Sequence, residues 1–411
     1  MNSNTTNNAG RLYSHSATQD IPIVAKVASP NLPSLNGIRM ILALFVYLFH
    51  TSLDNMLSPF SDPEINTAYA FFLSKSGWVS VSFFFILSGF VMNLSSKPVG
   101  NTLTFYKKKF ARIYPVNIFV MVLLVATGLI NISRIDVWLP NALLIQTWFP
   151  DGENYIGGNI PSWFLCTIVL FYLLFPFLQR FIRAIPTAHL WTSIGFLYLI
   201  MIATQIIIAL YTPATPYIEG WSLLISESRW WLSYTFPLTR LPELIIGMLL
   251  SRVIQEGKWI PISIATSLIL TAVTYSIDLF IPLQFSFNLV TLIPLLLVIG
   301  SLTVSDINQR RSFLHTKPMQ WLGNLSFGFY MIHFLVIKLI MVWADGAKYD
   351  VPEAILLVVA GMVLSLLGAW LLYKFVSCQP VNGLPQKHGS TFVVTHKKPA
   401  RHPDKQQSIV A

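Results

Sequence analysis

Long apolar runs alternate with short polar segments from about residue 36 to about residue 377. A helix that crosses the hydrocarbon core of a bilayer needs about 20 consecutive, mostly apolar residues. Successive runs reach that length, so the pattern predicts an all-α, polytopic membrane protein with about ten transmembrane helices. The predicted spans are 36–56, 76–95, 113–132, 161–182, 190–211, 231–252, 260–280, 286–304, 321–343 and 353–377.

The polar segments between these runs alternate in charge. One side of the membrane receives most of the basic residues, among them Lys107, Lys108, Lys109, Arg112, Arg180, Arg183, Arg252, Lys258, Arg310, Arg311 and Lys317, together with both tails. The other side collects mainly acidic residues, among them Asp54, Asp62, Asp136, Glu153, Asp345 and Asp350. Because basic loops stay on the cytoplasmic side, we predict a multi-pass protein whose N- and C-termini are both cytoplasmic.

Composition favours the same class of protein. Of the 411 residues, 54% are apolar and only 11% are charged, which is too little charge for the surface of a soluble protein of this length. The net charge of +10 is accounted for by the basic loops and tails, so it does not indicate a nucleic-acid partner. Cys166 and Cys378 form no CxxC or Cys/His spacing, so neither a disulfide framework nor a metal site is predicted.

The chain divides into three predicted parts. Residues 1–34 are polar and lack the apolar segment of a signal peptide, which predicts a disordered cytosolic tail. Residues 35–378 form the predicted membrane domain, and residues 379–411 form a second, basic cytosolic tail. With no soluble enzymatic domain apparent, any chemistry is expected inside the membrane bundle or at its edge.

Ionisable residues within the predicted spans are candidates for a functional site, because a charge deep in a bilayer is costly. His50 and His333 enter their spans from the same side by about the same number of residues, so the two imidazoles could share one cavity. Alternatively, each could donate to a nearby backbone carbonyl. Arg240 and Glu243 are three residues apart and project from one helical face, either as a self-neutralising pair or as an electrostatic element of the site.

Basic residues also cluster at the predicted cytosolic mouth of the bundle. Arg39 lies 11 residues before His50 on nearly the same helical face. The others precede the third span: Lys107, Lys108, Lys109 and Arg112. Such a cluster either anchors the helix at the membrane surface or holds the phosphates of a nucleotide-like donor.

Six segments of the chain carry motifs in a fixed order. They are LNGIRMILALFVYLFH (Leu35–His50), GWVSVSFFFILSGFVM (Gly77–Met92), FYKKKFARIYP (Phe105–Pro115), SWFLCTIVLFYLLFP (Ser162–Pro176), RLPELIIGMLL (Arg240–Leu250) and WLGNLSFGFYMIHFLV (Trp321–Val336). Together they resemble the motifs of the membrane acyltransferase-3 family, and the resemblance covers everything except the two tails. The chain resembles the stand-alone type, which has no trailing esterase-like SGNH domain.

The resemblance implies a membrane O-acyltransferase of the bacterial inner membrane. The family moves an acyl group, commonly acetyl from acetyl-CoA, to a hydroxyl of a carbohydrate. Its acceptors include lipopolysaccharide O-antigen, exopolysaccharide, peptidoglycan, lipid-linked glycans and macrolide sugars. The implied partners are therefore an acyl-CoA donor, a carbohydrate or glycolipid acceptor and the lipid bilayer, with no permanently bound cofactor.

The resemblance also suggests a role for each candidate residue. His50 falls on the family's catalytic histidine and is the predicted general base, with a relay through an acyl group on His50 as the alternative. Asn36 replaces a family aspartate, and as a predicted catalytic residue it would orient the imidazole without contributing charge. The predicted donor-binding residues are Arg39, Lys107, Lys108, Lys109 and Arg112, and the predicted cavity-lining residues are Arg240, Glu243 and His333.

Two other functions stay open at this point. Many helices with charged residues near the midplane would also suit a solute transporter or flippase. The replacement at Asn36 would also fit a non-catalytic family member that acts as a membrane scaffold.

Overall fold

The structure, a computed structural model, describes residues 31–95, 99–218 and 224–377. Residues 1–30 of the predicted N-terminal tail, the predicted C-terminal tail 379–411 and Cys378 lie outside the described residues. The described residues form helices joined by short irregular segments, without a β-strand. The α-helices are α1 Pro33–Ser52, α2 Pro63–Leu73, α3 Ser76–Ser95, α4 Thr102–Ala126, α5 Ile135–Leu143, α6 Gly152–Ile156, α7 Trp163–Ala184, α8 Leu190–Tyr211, α9 Glu227–Trp230, α10 Pro237–Gln255, α11 Ile264–Asp278, α12 Leu283–Ser286, α13 Leu292–Ile307, α14 Lys317–Ala344 and α15 Val351–Leu371.

The predicted all-α membrane fold is confirmed, whereas the count of ten spans is not. Within the described ranges, seven helical segments are long and apolar enough to cross a bilayer: Pro33–Ser52, Pro63–Ser95, Thr102–Ala126, Ile160–Ala184, Thr187–Tyr211, Lys317–Ala344 and Val351–Val376. The other predicted spans coincide with α10, α11 and α13, so helices are present there as well.

α10, α11 and α13 do not meet the length and apolar content of a membrane-spanning helix, for two physical reasons. α11 and α13 have 15 and 16 residues. Helices of that length measure about 23 Å, whereas the hydrocarbon core is ~30 Å thick. α10 is 19 residues long but carries Arg240, Glu243 and Arg252. Its low apolar content reflects charges that lie inside the protein, since Arg240 and Glu243 are both fully buried.

The centre of the bundle is formed by α1, which packs against α3 and α14, and by α10, which packs against α3. Glycines allow two of these contacts. A Cβ atom on Gly89 of α3 would overlap the Leu244 carbonyl oxygen of α10, and one on Gly323 of α14 would overlap the Asn36 carbonyl oxygen of α1. Small residues let membrane helices approach backbone to backbone, and here they bring together the helices that carry the candidate site.

The loops gather at two ends of the bundle. At the basic end, where α1 begins, the backbone nitrogen of Ser34 donates to Oδ2 of Asp306 at 2.9 Å, and Oδ1 of Asp306 lies 3.1 Å from Nε2 of His315. At the opposite, acidic end, the backbone nitrogen of Ser61 donates to the Tyr349 carbonyl oxygen at 2.8 Å. Loops distant in sequence therefore meet at each end.

Candidate active site

Two histidines meet at the centre of the bundle, where α1 packs against α14. Nε2 of His333 lies 3.0 Å from Nδ1 of His50, and the ring centroids are 5.1 Å apart. His333 is fully buried and His50 is 8% exposed. The structure thus brings together the two imidazoles that lie at similar depth in their helices.

Helix geometry explains this equal depth. α1 and α14 both begin at the basic end, and His50 follows Pro33 by 17 residues while His333 follows Lys317 by 16. At 1.5 Å per residue, these positions are about 26 Å and about 24 Å from the helix starts. Tyr47, one turn before His50, packs edge-on against the His333 ring, with the ring centroids 6.3 Å apart.

The hydrogen bonds of the pair assign its protons. Nδ1 of His333 lies 3.2 Å from the Phe329 carbonyl oxygen, which can only accept, so Nδ1 carries a hydrogen. In a neutral His333, Nε2 then accepts from Nδ1–H of His50. The lone pair of His50 is therefore on Nε2, the nitrogen that a general base would use.

His50 lines a small cavity toward the acidic end, with a volume of about 60 Å³. We call it the aromatic cavity because, besides His50, seven aromatic side chains line it: Phe49, Trp78, Tyr155, Trp163, Trp230, Tyr234 and Tyr330. The ring centroids of Trp163 and Tyr234 are 4.5 Å apart. The sequence predicts none of these rings as a site residue, because an aromatic residue in an apolar run has the same pattern whether it lines a cavity or fills the core.

Tyr155 joins this cavity to the loops of the acidic end. Its hydroxyl donates to Oε1 of Glu227 at 3.3 Å. Burial, reinforced by the charge of Glu227, raises the pKa of the Tyr155 hydroxyl far above its usual value. Tyr155 therefore stays protonated and keeps donating to the carboxylate.

A buried ion pair supports the aromatic cavity from behind its wall. On α10, Nε of Arg240 lies 2.8 Å from Oε2 of Glu243, and both side chains are fully buried. The guanidinium carbon lies 5.2 Å from the Tyr234 ring centroid and 5.9 Å from that of Trp163, which is within cation–π range. Neither charged residue lines the cavity itself. Of the two interpretations of the sequence, the structure shows the self-neutralising pair, placed behind the lining rings.

A second, larger cavity lies toward the basic end, with a volume of about 260 Å³. We call it the cationic cavity because three of the predicted donor-binding residues line it: Arg39, Lys109 and Arg112. Nζ of Lys109 lies 5.6 Å from the ring centroid of Tyr172, which also lines this cavity. Phe84 and Phe164 contribute apolar wall on the side toward the centre of the bundle.

The structure does not bring Lys107 and Lys108 to the cationic cavity. Both are exposed on α4 and line neither cavity. Positions 109 and 112 share a helical face, whereas 107 and 108 are rotated from 109 by about 200° and about 100°. The helical period therefore divides the basic cluster into residues that face the cavity and residues that face outward.

Asn36 lies far from His50 although α1 carries both. They are 14 residues apart, which is about 21 Å along the helix. Nδ2 of Asn36 donates to the carbonyl oxygen and to Oε1 of Gln320, each at 3.1 Å, and to Oδ1 of Asn324 at 3.2 Å. Asn36 therefore cannot contact the imidazole, contrary to its predicted catalytic role, and instead joins α1 to α14 at the basic end.

The fold and site are those of a polytopic membrane protein in which a buried histidine pair lies beside two cavities of different chemistry. Residues 32–374 match the model of a family described as "Acyltransferase domain". The chain belongs to this family of membrane acyltransferases, which confirms the resemblance of its six motifs.

Two relatives align with most of this chain. "Acyltransferase MdmB" of Streptomyces mycarofaciens is 30% identical over 317 residues, covering 75% of this chain and 79% of that protein. "Peptidoglycan O-acetyltransferase OatA" of Listeria monocytogenes is 22% identical over 379 residues, covering 84% of this chain and 55% of that protein. The chain thus spans about half the length of OatA. No solved structure matches the chain.

Proposed function

We propose that this protein is an O-acyltransferase that moves an acyl group, most simply acetyl, from acyl-CoA to a hydroxyl of a carbohydrate. His50 is the general base, the cationic cavity holds the donor, and the aromatic cavity receives the acceptor. The observation that carries this proposal is the position of His50. Its imidazole lines the aromatic cavity, and its contact with His333 leaves the Nε2 lone pair to take a proton.

The proposed reaction is a direct transfer. Nε2 of His50 takes the proton of the acceptor hydroxyl while the hydroxyl oxygen attacks the thioester carbonyl. The C–S bond then breaks, and the imidazolium returns the proton to the leaving thiolate. Throughout these steps Nδ1–H of His50 donates to His333, so His333 is a positioning residue that fixes the orientation of the base.

The cationic cavity supports an acyl-CoA donor. Arg39, Lys109 and Arg112 gather positive charge at one cavity, and guanidinium groups bind phosphate through paired hydrogen bonds. The apolar wall at Phe84 and Phe164 suits an acyl group and its uncharged arm. The basic end would face the cytoplasm, as the loop charges predict, in a bacterial inner membrane with both termini cytoplasmic.

The aromatic cavity supports a carbohydrate acceptor, because ring faces pack against the apolar faces of sugars while leaving hydroxyls free to bond. At about 60 Å³, it admits only the part of the acceptor that carries the reacting hydroxyl. The rest of the acceptor would lie at the acidic end. The name of OatA specifies peptidoglycan, a carbohydrate polymer, and this supports the same chemical class here.

Membranes that contain the wild type, His50→Ala or His189→Ala test the proposal with radiolabelled acetyl-CoA. Wild type should place label on a glycan or glycolipid fraction, and His50→Ala should lower transfer by about 10²–10⁴-fold because the base is gone. His189 is an exposed histidine outside both cavities and serves as the matched control with wild-type activity.

Immunoblots confirm that the three proteins insert in equal amounts. Retained transfer in His50→Ala would contradict the assignment of the base. Movement of a labelled solute across the membrane while acetyl-CoA stays intact would indicate a transporter.

A further inference from the structure

Tyr330 of α14 is common to the two cavities. Among the described residues that line them, Tyr330 alone belongs to both. Arg39 and Arg112 line only the cationic cavity, whereas His50 lines only the aromatic cavity. The proposed donor-binding charges and the proposed base therefore lie on opposite sides of one aromatic ring.

Contacts on several sides hold this ring in place. The Tyr330 hydroxyl donates to the Pro161 carbonyl oxygen at 3.1 Å. The ring centroid lies 5.7 Å from that of Phe164, 6.2 Å from that of Phe84 and 5.9 Å from that of His333. Tyr330 is only 5% exposed, so it separates the two cavities as a packed wall.

We propose that Tyr330 keeps the bound acyl donor apart from water in the aromatic cavity and so determines whether the acyl group is transferred or hydrolysed. This inference rests on the proposed function, because it requires acyl-CoA in the cationic cavity. It adds a specificity-determining residue that chooses between two nucleophiles, the acceptor hydroxyl and water.

The two reactions differ only in the nucleophile. In hydrolysis a water oxygen attacks the thioester carbonyl while His50 takes one of its protons, the C–S bond breaks, and that proton passes to the leaving thiolate. The products are the thiol of coenzyme A, a carboxylate and one proton released to solvent. His50 would serve as base for water as readily as for a hydroxyl, so exclusion of water must come from the cavity and not from the base. For transfer, the proposal requires an acceptor in the aromatic cavity to turn the ring aside, so that the acceptor hydroxyl meets the thioester.

Hydrolysis without acceptor measures this separation directly. Purified protein in detergent is mixed with acetyl-CoA alone, and the released thiol is followed with a thiol-reactive chromophore. Tyr330→Ala should raise the release at least about tenfold, because the two cavities become continuous. Tyr330→Phe should raise it less, by about fivefold at most, because only the hydrogen bond to Pro161 is lost.

Two further variants separate this effect from general loosening. Tyr198→Ala removes a tyrosine on α8 whose hydroxyl likewise donates to a backbone carbonyl, that of Leu289 at 3.0 Å, and which lines neither cavity. It should hydrolyse acetyl-CoA at the wild-type rate. The double variant of Tyr330→Ala with His50→Ala should lose the excess hydrolysis, since the activated water needs the same base.

Coenzyme A binding, measured on the same preparations, distinguishes a failure of the proposed function from a failure of this inference alone. A wild type that does not bind coenzyme A overturns the proposed function, and this inference with it. A Tyr330→Ala protein that binds coenzyme A normally but hydrolyses no faster overturns the inference alone, as would an equal rise in Tyr198→Ala. If Tyr330→Ala does not bind coenzyme A, Tyr330→Leu replaces it in the assay because leucine keeps more of the packing. A hydrolysis rate in Tyr330→Leu equal to that of the wild type would likewise overturn the inference.

Discussion

The cationic and the aromatic cavity adjoin in one bundle, yet they are built in opposite ways. The cationic cavity, of about 260 Å³, is lined by basic side chains that are long and partly exposed. The aromatic cavity, of about 60 Å³, is lined by rings that pack on one another and on the buried Arg240. Long side chains adjust to a ligand, whereas buried rings are held in advance of binding. The contrast shows one cavity suited to a charged, flexible molecule and one that selects by shape, which matches the donor and acceptor roles proposed above.

The largest effect on kcat without an effect on donor binding is expected at His333, the partner of His50. His333→Ala removes the acceptor for Nδ1–H of His50 and should lower kcat by roughly 10²-fold. The KM for acetyl-CoA should stay unchanged, because His333 does not line the cationic cavity. Steady-state kinetics on both substrates measure the two effects.

The conservative variant His333→Gln sharpens this test. Its amide oxygen can still accept from His50 and should restore most of kcat if His333 acts by positioning. Equal losses in His333→Ala and His333→Gln would rule out that role.

A smaller effect, confined to the donor side, is expected at the basic cluster. Arg112→Ala should raise the KM for acetyl-CoA by about tenfold, because one charge-assisted phosphate contact is lost. Lys108→Ala is the matched control, since Lys108 lies on the same helix but outside the cavity, and its KM should stay at the wild-type value. Equal effects of the two substitutions would show that the helix carries a diffuse charge and no defined phosphate site.

The smallest effect on catalysis is expected at Asn36, which lies outside the histidine pair. Asn36→Asp removes the donor that bonds Gln320 and Asn324. The loss should cost about 1–2 kcal/mol of stability and leave kcat nearly unchanged, because the side chain is too far from His50 to act on it. Thermal unfolding together with kinetics decides this, and a large gain in kcat would instead restore Asn36 to the catalytic machinery.

Much of this architecture could be read from local sequence. Run length and charge predict an all-α membrane protein, and every predicted span overlaps a helix, although α11 and α13 are shorter than a bilayer requires and the count of ten is not confirmed. The equal depth of His50 and His333 followed from counting residues. Both features depend on properties that repeat along one helix and need no knowledge of its neighbours.

The environment of the candidate site was harder to predict. The sequence spacing predicts that Arg240 and Glu243 share a helical face, but only the packing shows that Arg240 supports Trp163 and Tyr234 from behind. The rings of the aromatic cavity come from α1, α3, α6, α7, α9, α14 and the segment before α10. No sequence spacing links them, because the folded chain brings them together from separate elements.

Local sequence is enough to predict the class of protein, the positions of most helices and the common depth of the two histidines, because apolar length and residue count are properties of one helix at a time. Which residues share a cavity depends instead on how the helices pack against one another. Packing selects which face of α4 meets the cationic cavity, and it places Tyr330 between the two cavities. These outcomes depend on how helices rotate and approach one another, and the packing of side chains across helices sets that arrangement.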